Sequence, residues 1–216
     1  MTKLSPSSLN LFLDCKRCFY LQIVKKIKRP STPFPSLPSG MDKVLKEHFD
    51  SFMLNGKLPP ELLKNNECKD LKLFNDQEQL KIWRSNFHGI QFIDTKNNVL
   101  LHGAIDNILV SKEKKLIVLD YKTRGYPLKE DTHKHYQLQM DLYNFLLRKN
   151  NYSTEDYTYL LFYYPLRVLS SGEVIFETVL KKIPVDVEKG EKVFNDAVTC
   201  VKGGIPIETC EWCGGK

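Results

Sequence analysis

Three charged residues near the middle of the chain have the types and spacing of a metal-dependent catalytic site. Asp120 and Lys122 are two residues apart in a β-rich segment, so a strand would point both side chains to one face. Asp106 lies in the preceding apolar segment and could join them across a hairpin. The simpler alternative is that Asp106 ends a strand and Asp120 pairs with Lys122 or Arg124 at the surface.

The register of that hairpin decides whether the two acids meet. A five-residue loop, 111–115, pairs Val110 with Leu116 and therefore places Asp106 opposite Asp120. Two carboxylates at that separation repel each other unless a cation lies between them. Mg²⁺ and Mn²⁺, which prefer oxygen ligands, are the natural candidates. A nearby lysine could orient a water molecule or stabilise developing negative charge.

Cysteine pairs at the two ends of the chain indicate a second metal site. Cys15 and Cys18 form one C-x-x-C pair, and Cys210 and Cys213 form another. Two such pairs supply the four sulfur ligands of a tetrahedral site, which would join the first helix to the tail. The alternative is that one or both pairs occur by chance and Cys18 is a small buried hydrophobic residue. The remaining two cysteines are expected to be unpaired core residues, Cys68 and Cys200.

Hydrophobic periodicity predicts the elements that position these residues. It predicts helices over 5–23 and 41–54, with Ser5 as N-cap and Val44, Leu45, Phe49 and Phe52 as the buried stripe of the second. Strands follow over 99–110 and 116–121, a helix over 133–149, strands over 157–164 and 173–180, and a last helix opened by Pro184. The proline-rich segment 29–39 is expected to be extended. This order predicts an α/β fold with a mixed central sheet flanked by helices.

Composition excludes some classes of protein. The chain has 216 residues, 42% of them hydrophobic and 27% charged, which is typical of one globular domain. No apolar run is long enough to cross a membrane, and the first ten residues lack the core of a signal peptide. We therefore expect a single domain over 1–216, cytoplasmic and without a membrane partner. Residues 1–29 and 203–216 are expected to form its cysteine-site appendage.

The net charge of +6 is compatible with a nucleic-acid partner. Basic residues concentrate in the first helix and its exit, and Lys25, Lys26 and Arg29 are the candidates for contacts to the DNA backbone. The alternative is a solvated helix face, with the neighbouring aromatic residues Phe19 and Tyr20 in the core.

Two further residues make the pattern recognisable as that of a family. Gln139 and Tyr143 are four apart in the helix after the hairpin and so share one face. The series GAID at 103–106, DYKT at 120–123 and QMDLY at 139–143 resembles the G-x-x-D, D-x-K and Q-x-x-x-Y motifs of the PD-(D/E)XK nuclease superfamily, in its RecB-like branch. The terminal cysteine segments also resemble that branch, which includes CRISPR-associated exonucleases.

The resemblance implies a restriction-endonuclease-like core and assigns roles to residues. Asp106, Asp120 and the backbone carbonyl of Tyr121 would hold one or two Mg²⁺ or Mn²⁺ ions. Lys122 would position the attacking water or stabilise the charge of the pentavalent phosphate. Gln139 and Tyr143 would brace the site or contact the DNA backbone. In the alternative, Tyr143 is a core residue and Gln139 a surface amide.

Two features depart from the family pattern. Relatives often supply a further ligand from the helix before the hairpin, but the expected offset after Gly40 falls on Val44. His48 is a candidate for this role, ahead of Glu47, although both could be ordinary exposed residues. Relatives also carry a four-iron, four-sulfur cluster, [4Fe-4S], between one N-terminal cysteine and a C-terminal trio. That trio is not kept here, so Zn²⁺ remains a rival to the cluster.

The function that follows is a metal-dependent deoxyribonuclease that hydrolyses phosphodiester bonds. We expect an exonuclease, or an enzyme that processes single strands or DNA ends, in repair, recombination or CRISPR adaptation, where protein partners are possible. One alternative is a catalytically inactive nucleic-acid-binding module on the same scaffold. Another is a zinc-stapled interaction protein in which the hairpin carboxylates are incidental.

Overall fold

A computed structural model describes residues 1–30 and 36–214 of the chain. Its α-helices are α1 Pro6–Asp14, α2 Lys16–Ile23, α3 Ser36–Leu54, α4 Pro60–Leu63, α5 Gln77–Trp83, α6 Gln137–Lys149 and α7 Val187–Lys202. Its strands are β1 Thr2–Leu4, β2 Lys72–Leu73, β3 Ile90–Asp94, β4 Val99–Gly103, β5 Asn107–Val110, β6 Leu116–Thr123, β7 Tyr157–Val168 and β8 Val174–Pro184. Short 3-10 helices lie at Asn66–Cys68 and Thr132–Tyr136.

The strands form two sheets. In the smaller sheet, of order β1-β4-β3, β1 runs parallel to β4 and β3 runs antiparallel to it. In the larger sheet, of order β2-β5-β6-β7-β8, only β6 and β7 are parallel. Helix α6 makes the crossover between those two strands, as a parallel pair requires. The result is a mixed α/β fold with helices flanking mixed sheets, which confirms the predicted fold class.

Helix α6 is the most buried helix of the fold. Nine of its residues are buried, among them polar Asp141 and Asn144, because both faces of the helix are covered. It packs on β3 and β4 of the smaller sheet and on helix α7. One contact is unusually close: a Cβ atom on Gly103 would lie 2.7 Å from Cε1 of Tyr143. Only glycine therefore fits at the end of β4 beneath this tyrosine ring.

The prediction of one strand over 99–110 is wrong. The chain leaves the smaller sheet after Gly103 and enters the larger sheet at Asn107, so the segment forms two strands, β4 and β5. The connection is held by the Ile105 N–H, which donates to the Trp83 carbonyl at 2.9 Å. The predicted hairpin register is confirmed, because Val110 pairs with Leu116.

The first predicted helix divides into α1 and α2 at Cys15, whose extended backbone (φ −158°, ψ 111°) ends one helix and begins the next. Ser5 is the N-cap of α1, as predicted, and shares a reciprocal capping box with Ser8. The cysteine thus stands at the helix junction, and its side chain accepts a hydrogen bond from the Cys18 backbone N–H at 3.4 Å.

Helix α3 begins earlier than predicted. Residues 31–35 lie outside the described residues, and the expectation of extended chain is wrong for 36–39, which form the first turn of α3. Pro38 is accommodated there because the first helical N–H groups have no intrahelical acceptor. Val44, predicted to be buried, is 58% exposed, whereas Leu45, Phe49 and Met53 face the core.

Strands β7 and β8 pair over a longer stretch than predicted, and β8 continues to Pro184, which therefore ends a strand and does not open a helix. Helix α7 begins at Val187, where the Asp186 side chain caps the Lys189 N–H. Among residues 1–30 and 36–214, no helix has the length and apolarity needed to cross a bilayer.

Candidate metal-dependent active site

Asp106 lies in the connection that carries the chain from one sheet to the other. Its Oδ2 atom accepts a hydrogen bond from the Tyr121 backbone N–H at 3.0 Å. Its own carbonyl accepts from Nε of Arg84 at 2.7 Å, and Arg84 in turn pairs with Asp50 at 2.7 Å. The carboxylate is therefore fixed against strand β6, beside Asp120.

Asp120 and Lys122 share one face of β6. The carboxylate of Asp120 is 2% exposed and contacts the ammonium group of Lys122, which is 15% exposed. Burial raises the pKa of Asp120 to about 7, against the opposing charge of Lys122 and with a smaller upward contribution from Asp106. Burial lowers the pKa of Lys122, but the two carboxylates outweigh it, so the net shift is upward and the amine stays protonated.

Gln139 and Tyr143 extend this network onto helix α6. Nζ of Lys122 donates to Oε1 of Gln139 at 3.1 Å, and Nε2 of Gln139 donates to the Tyr143 hydroxyl at 2.7 Å. The ammonium group also lies 4.7 Å from the ring centre of Tyr136, within cation–π distance. Lys122 is thus held on three sides, and Tyr143 is both a core residue and a member of the network.

Two residues of this site were missed by the sequence reasoning. Nζ of Lys46 lies 3.0 Å from Oδ1 of Asp106 and 2.7 Å from Oδ2 of Asp42. Both come from helix α3, where their i, i+4 spacing places them on one face. That spacing was a usable signal, but it could not say that this face turns toward the hairpin.

These side chains converge on one open cleft of about 460 Å³. Its floor is formed by the hairpin and α6, and α1 and α3 contribute further polar groups. The lining residues that carry charged or polar side chains are Ser5, Ser7, Asp42, Lys46, Asn86, His102, Asp106, Asp120, Lys122, Gln139 and Tyr143. The cleft has the buried carboxylates, the hard oxygen donors and the solvent access that a divalent metal site needs.

The structure does not bring His48 into this cleft. Its Nε2 atom lies 3.1 Å from Oε1 of Glu61, and its ring packs edge-on against Phe52 at 5.1 Å. Glu47 is exposed and lies 3.9 Å from Lys43. Helical geometry explains the difference, because two residues along α3 separate His48 from Lys46 by more than half a turn.

The two cysteine pairs do come together. The sulfur atoms of Cys15, Cys18, Cys210 and Cys213 all lie within 4.8 Å of one another, and all are free thiols. Burial raises the pKa of Cys18 to about 12. Desolvation also acts on Cys210, but hydrogen bonds from the Trp212 backbone N–H and the other cysteines outweigh it and lower its pKa to about 6. The contacts around Cys210 thus favour its thiolate, the form that binds metals.

The predicted DNA-contact residues differ in their exposure to solvent. Lys25 and Lys26 are exposed at the end of α2, and Lys26 donates to the Ile23 carbonyl at 2.8 Å. Arg29 is engaged within the protein, because one guanidinium nitrogen lies 2.5 Å from Asp14 and another donates to the Cys210 sulfur at 3.4 Å. Arg29 thus faces the cysteine cluster.

The fold and the cleft define an α/β protein with a candidate acid–acid–lysine metal site. A family model described as the PD-(D/E)XK nuclease superfamily matches residues 3–214. The chain belongs to the PD-(D/E)XK nuclease superfamily, a class of metal-dependent nucleases that act on nucleic acid. The predicted superfamily is thereby confirmed, and its RecB-like branch stays a prediction.

Comparison with individual proteins adds little to this assignment. No curated protein matches the chain. A solved structure described as the crystal structure of SSO0001 is similar with a TM-score of 0.41 and 14% identity, covering 92% of this chain and 76% of that one. A likeness at this level does not bear on function.

Proposed function

We propose that this protein is a metal-dependent deoxyribonuclease that hydrolyses phosphodiester bonds at DNA ends or in single strands, as in the RecB-like branch. The observation that carries the proposal is the convergence of Asp106, Asp120, Lys122, Gln139 and Tyr143 on one cleft. Residues 17 positions apart in the chain, Lys122 and Gln139, are hydrogen bonded there at 3.1 Å. A purely structural role for the carboxylates would not need an open cleft above them.

The donor set of the cleft fits a hard divalent cation. Asp106, Asp120 and the backbone carbonyl of Tyr121 would hold Mg²⁺ or Mn²⁺, since all three offer oxygen ligands. Such an ion supplies Lewis-acid polarisation of the phosphate and a bound water of lowered pKa. We extend the proposed set to Asp42, a carboxylate of α3 that lines the same cleft.

Lys122 would act on the charge that develops at the phosphate. Its ammonium group is held by Asp120 and Gln139, so it is preorganised and needs no rearrangement as the reaction proceeds. Gln139 is a positioning residue in this account, because it fixes Lys122 from one side and is itself fixed by Tyr143. Lys46 neutralises Asp106 in the metal-free protein and is available to a substrate phosphate once a metal replaces it.

The proposal includes DNA as the substrate, with a preference for single strands or ends. It also includes any partner proteins in repair or CRISPR complexes. The net charge of +6 and the exposed Lys25 and Lys26 support a polyanionic substrate. The cleft contains no base-reading pattern that we recognise among the described residues, so we expect low sequence specificity.

The test is cleavage of labelled linear single-stranded, linear double-stranded and circular DNA with Mg²⁺, Mn²⁺ or no metal. We expect metal-dependent digestion of linear DNA and its loss in Asp120→Asn, whereas Asp70→Asn, at an exposed acid paired with Lys112, behaves as wild type. Retention of DNA without cleavage by the wild type would instead support an inactive binding module. Equal cleavage by wild type and Asp120→Asn would contradict the proposed site.

A further inference from the structure

The separations of the four cysteine sulfurs are those of ligands around a single ion. Sγ of Cys18 lies 3.4 Å from Sγ of Cys210, and Sγ of Cys213 lies 3.8 Å from Cys15 and 3.7 Å from Cys210. A zinc ion bound tetrahedrally at about 2.3 Å from each thiolate separates its sulfurs by about 3.8 Å. The separations of 3.7 Å and 3.8 Å match that arrangement, and the 3.4 Å separation is shorter by about 0.4 Å.

The same separations do not fit the four-iron cluster that the resemblance implies. In such a cluster each cysteine binds a different iron, and the four irons and four sulfides occupy the space between the thiolates. A regular tetrahedron with the largest separation here, 4.8 Å, has its centre only about 2.9 Å from each corner. That radius admits one ion and is too small for eight atoms.

Hydrogen bonds to the sulfurs come from the protein itself. The Cys18 N–H donates to Sγ of Cys15 at 3.4 Å, and the Cys210 N–H donates to Sγ of Cys213 at 3.3 Å. Arg29 donates to Sγ of Cys210 at 3.4 Å, and its positive charge offsets part of the negative charge of a four-thiolate site. Donors around the ligands are the usual support of a protein metal site.

The tail that carries the second pair has little else to hold it. Within 203–214, Cys213 alone is buried, and it packs with Cys18 and Leu21 in a small cluster apart from the main core. Arg17 also reaches the tail, where its guanidinium donates to the Pro206 carbonyl at 3.0 Å. The cysteine site is therefore the buried attachment of residues 203–214 to helix α2.

We propose that Cys15, Cys18, Cys210 and Cys213 bind one Zn²⁺ ion in place of an iron–sulfur cluster, and that this ion fastens the C-terminal tail to α2. The site is structural, since all four positions are filled by protein ligands and none is left for a substrate. It lies outside the carboxylate cleft and is independent of the proposed nuclease activity.

The test is the metal content of the full chain, produced with both iron and zinc supplied and purified without oxygen. We expect about one zinc per chain, no sulfide and no visible absorbance, whatever the outcome of the DNA cleavage assay. About four irons per chain with sulfide and a brown colour would overturn the proposal. So would a metal-free protein, whether its four thiols are free or joined as disulfides.

A matched pair of variants locates the ion. Cys213→Ser is expected to lose zinc from about one per chain to near zero, whereas Cys200→Ser, whose sulfur lies 4.0 Å from the Lys16 carbonyl outside the cluster, keeps it. In the wild type, Glu208 and Glu211 are already exposed, and zinc chelation should release the tail so that a glutamate-specific protease cuts there and leaves the core uncut. Zinc retained in Cys213→Ser, or a tail equally resistant after chelation, would contradict the assignment.

Discussion

Oδ2 of Asp106 accepts a hydrogen bond from the backbone N–H of Tyr121 at 3.0 Å. This bond joins the connection between the two sheets to strand β6, which carries Asp120. The position of one acid is thus fixed by the backbone next to the other. Oδ1 remains directed to Lys46 at 3.0 Å. One oxygen of Asp106 therefore has a structural contact, while the other is paired with the Lys46 ammonium group, which a metal ion could replace.

Because the two oxygens of Asp106 have different contacts, Asp106→Asn should lower the nuclease activity without destabilising the fold. The amide oxygen can still accept from Tyr121, but the charge is lost. We expect nuclease activity to fall by more than roughly 100-fold, because even outer-shell changes at metal sites cost 10–100-fold. The melting temperature should change little, since Lys46 keeps Asp42 as a partner. Activity within a few fold of wild type would remove Asp106 from the site.

Lys122→Ala should lower the rate without weakening the metal site. Removal of the ammonium group leaves Asp120 free to bind a cation, so the affinity for Mn²⁺ is expected to hold or rise. The maximal rate should fall by about 10²-fold, the usual cost of losing one preorganised donor to a developing negative charge. The matched control is Lys112→Ala, at an exposed lysine in the hairpin loop. A parallel loss of metal affinity would show that Lys122 only maintains the fold.

Gly103→Ala should destabilise the protein through Tyr143. The new Cβ would lie 2.7 Å and 2.9 Å from two carbons of the tyrosine ring, which is itself buried in α6. Overpacking of this kind costs about 1–3 kcal/mol, and denaturant unfolding measures it. Gly125→Ala, where no atom lies within 4 Å of the added carbon, should be close to neutral. Equal effects of the two substitutions would contradict this role of Gly103.

The raised pKa of Asp120 predicts a pH dependence of stability in protein without added Mg²⁺ or Mn²⁺. Burial raises this pKa from 3.8 to about 7, so the unfolded chain loses its proton first as pH rises. The free energy of unfolding therefore falls between these two values, whereas in Asp120→Asn that contribution is absent.

Melting curves of the two proteins from pH 4 to pH 7.5 measure the difference. The melting temperature of Asp120→Asn minus that of the wild type should increase across this interval by roughly 4 °C or more. The reason is that 1 kcal/mol shifts the melting temperature by about 2–4 °C in a chain of this size. A constant gap across the interval would mean that Asp120 is ionised throughout.

The relative positions of the hairpin residues could be predicted from short-range sequence features. The two-residue spacing of Asp120 and Lys122 fixed their common face, and the five-residue loop fixed the pairing of Val110 with Leu116. Two of the three superfamily motifs lie in or next to these segments, and the third lies in helix α6. These features depend on strand periodicity and turn length, which are encoded within a short stretch of chain.

The remaining features depend on tertiary packing. Strand β1 has three residues, and its pairing with β4 joins Leu4 to Leu101, far away in the chain. The departure of the chain after Gly103 depends on which sheet receives the next strand. Lys46 reached the cleft and His48 did not, because the buried stripe of α3 is set by Leu45, Phe49 and Met53. A periodic pattern identifies a helix, but it does not fix the rotation of the helix about its own axis to better than a fraction of a turn.

Direct binding of Mn²⁺ tests the central claim, which is that Asp106 and Asp120 form one divalent-metal site. Isothermal titration of zinc-loaded wild type, Asp106→Asn, Asp120→Asn and the control Asp70→Asn separates metal binding from any choice of DNA substrate. We expect saturable binding in wild type and Asp70→Asn, and an affinity lower by at least roughly 100-fold in both site variants. Equal Mn²⁺ affinity in all four proteins would contradict the account.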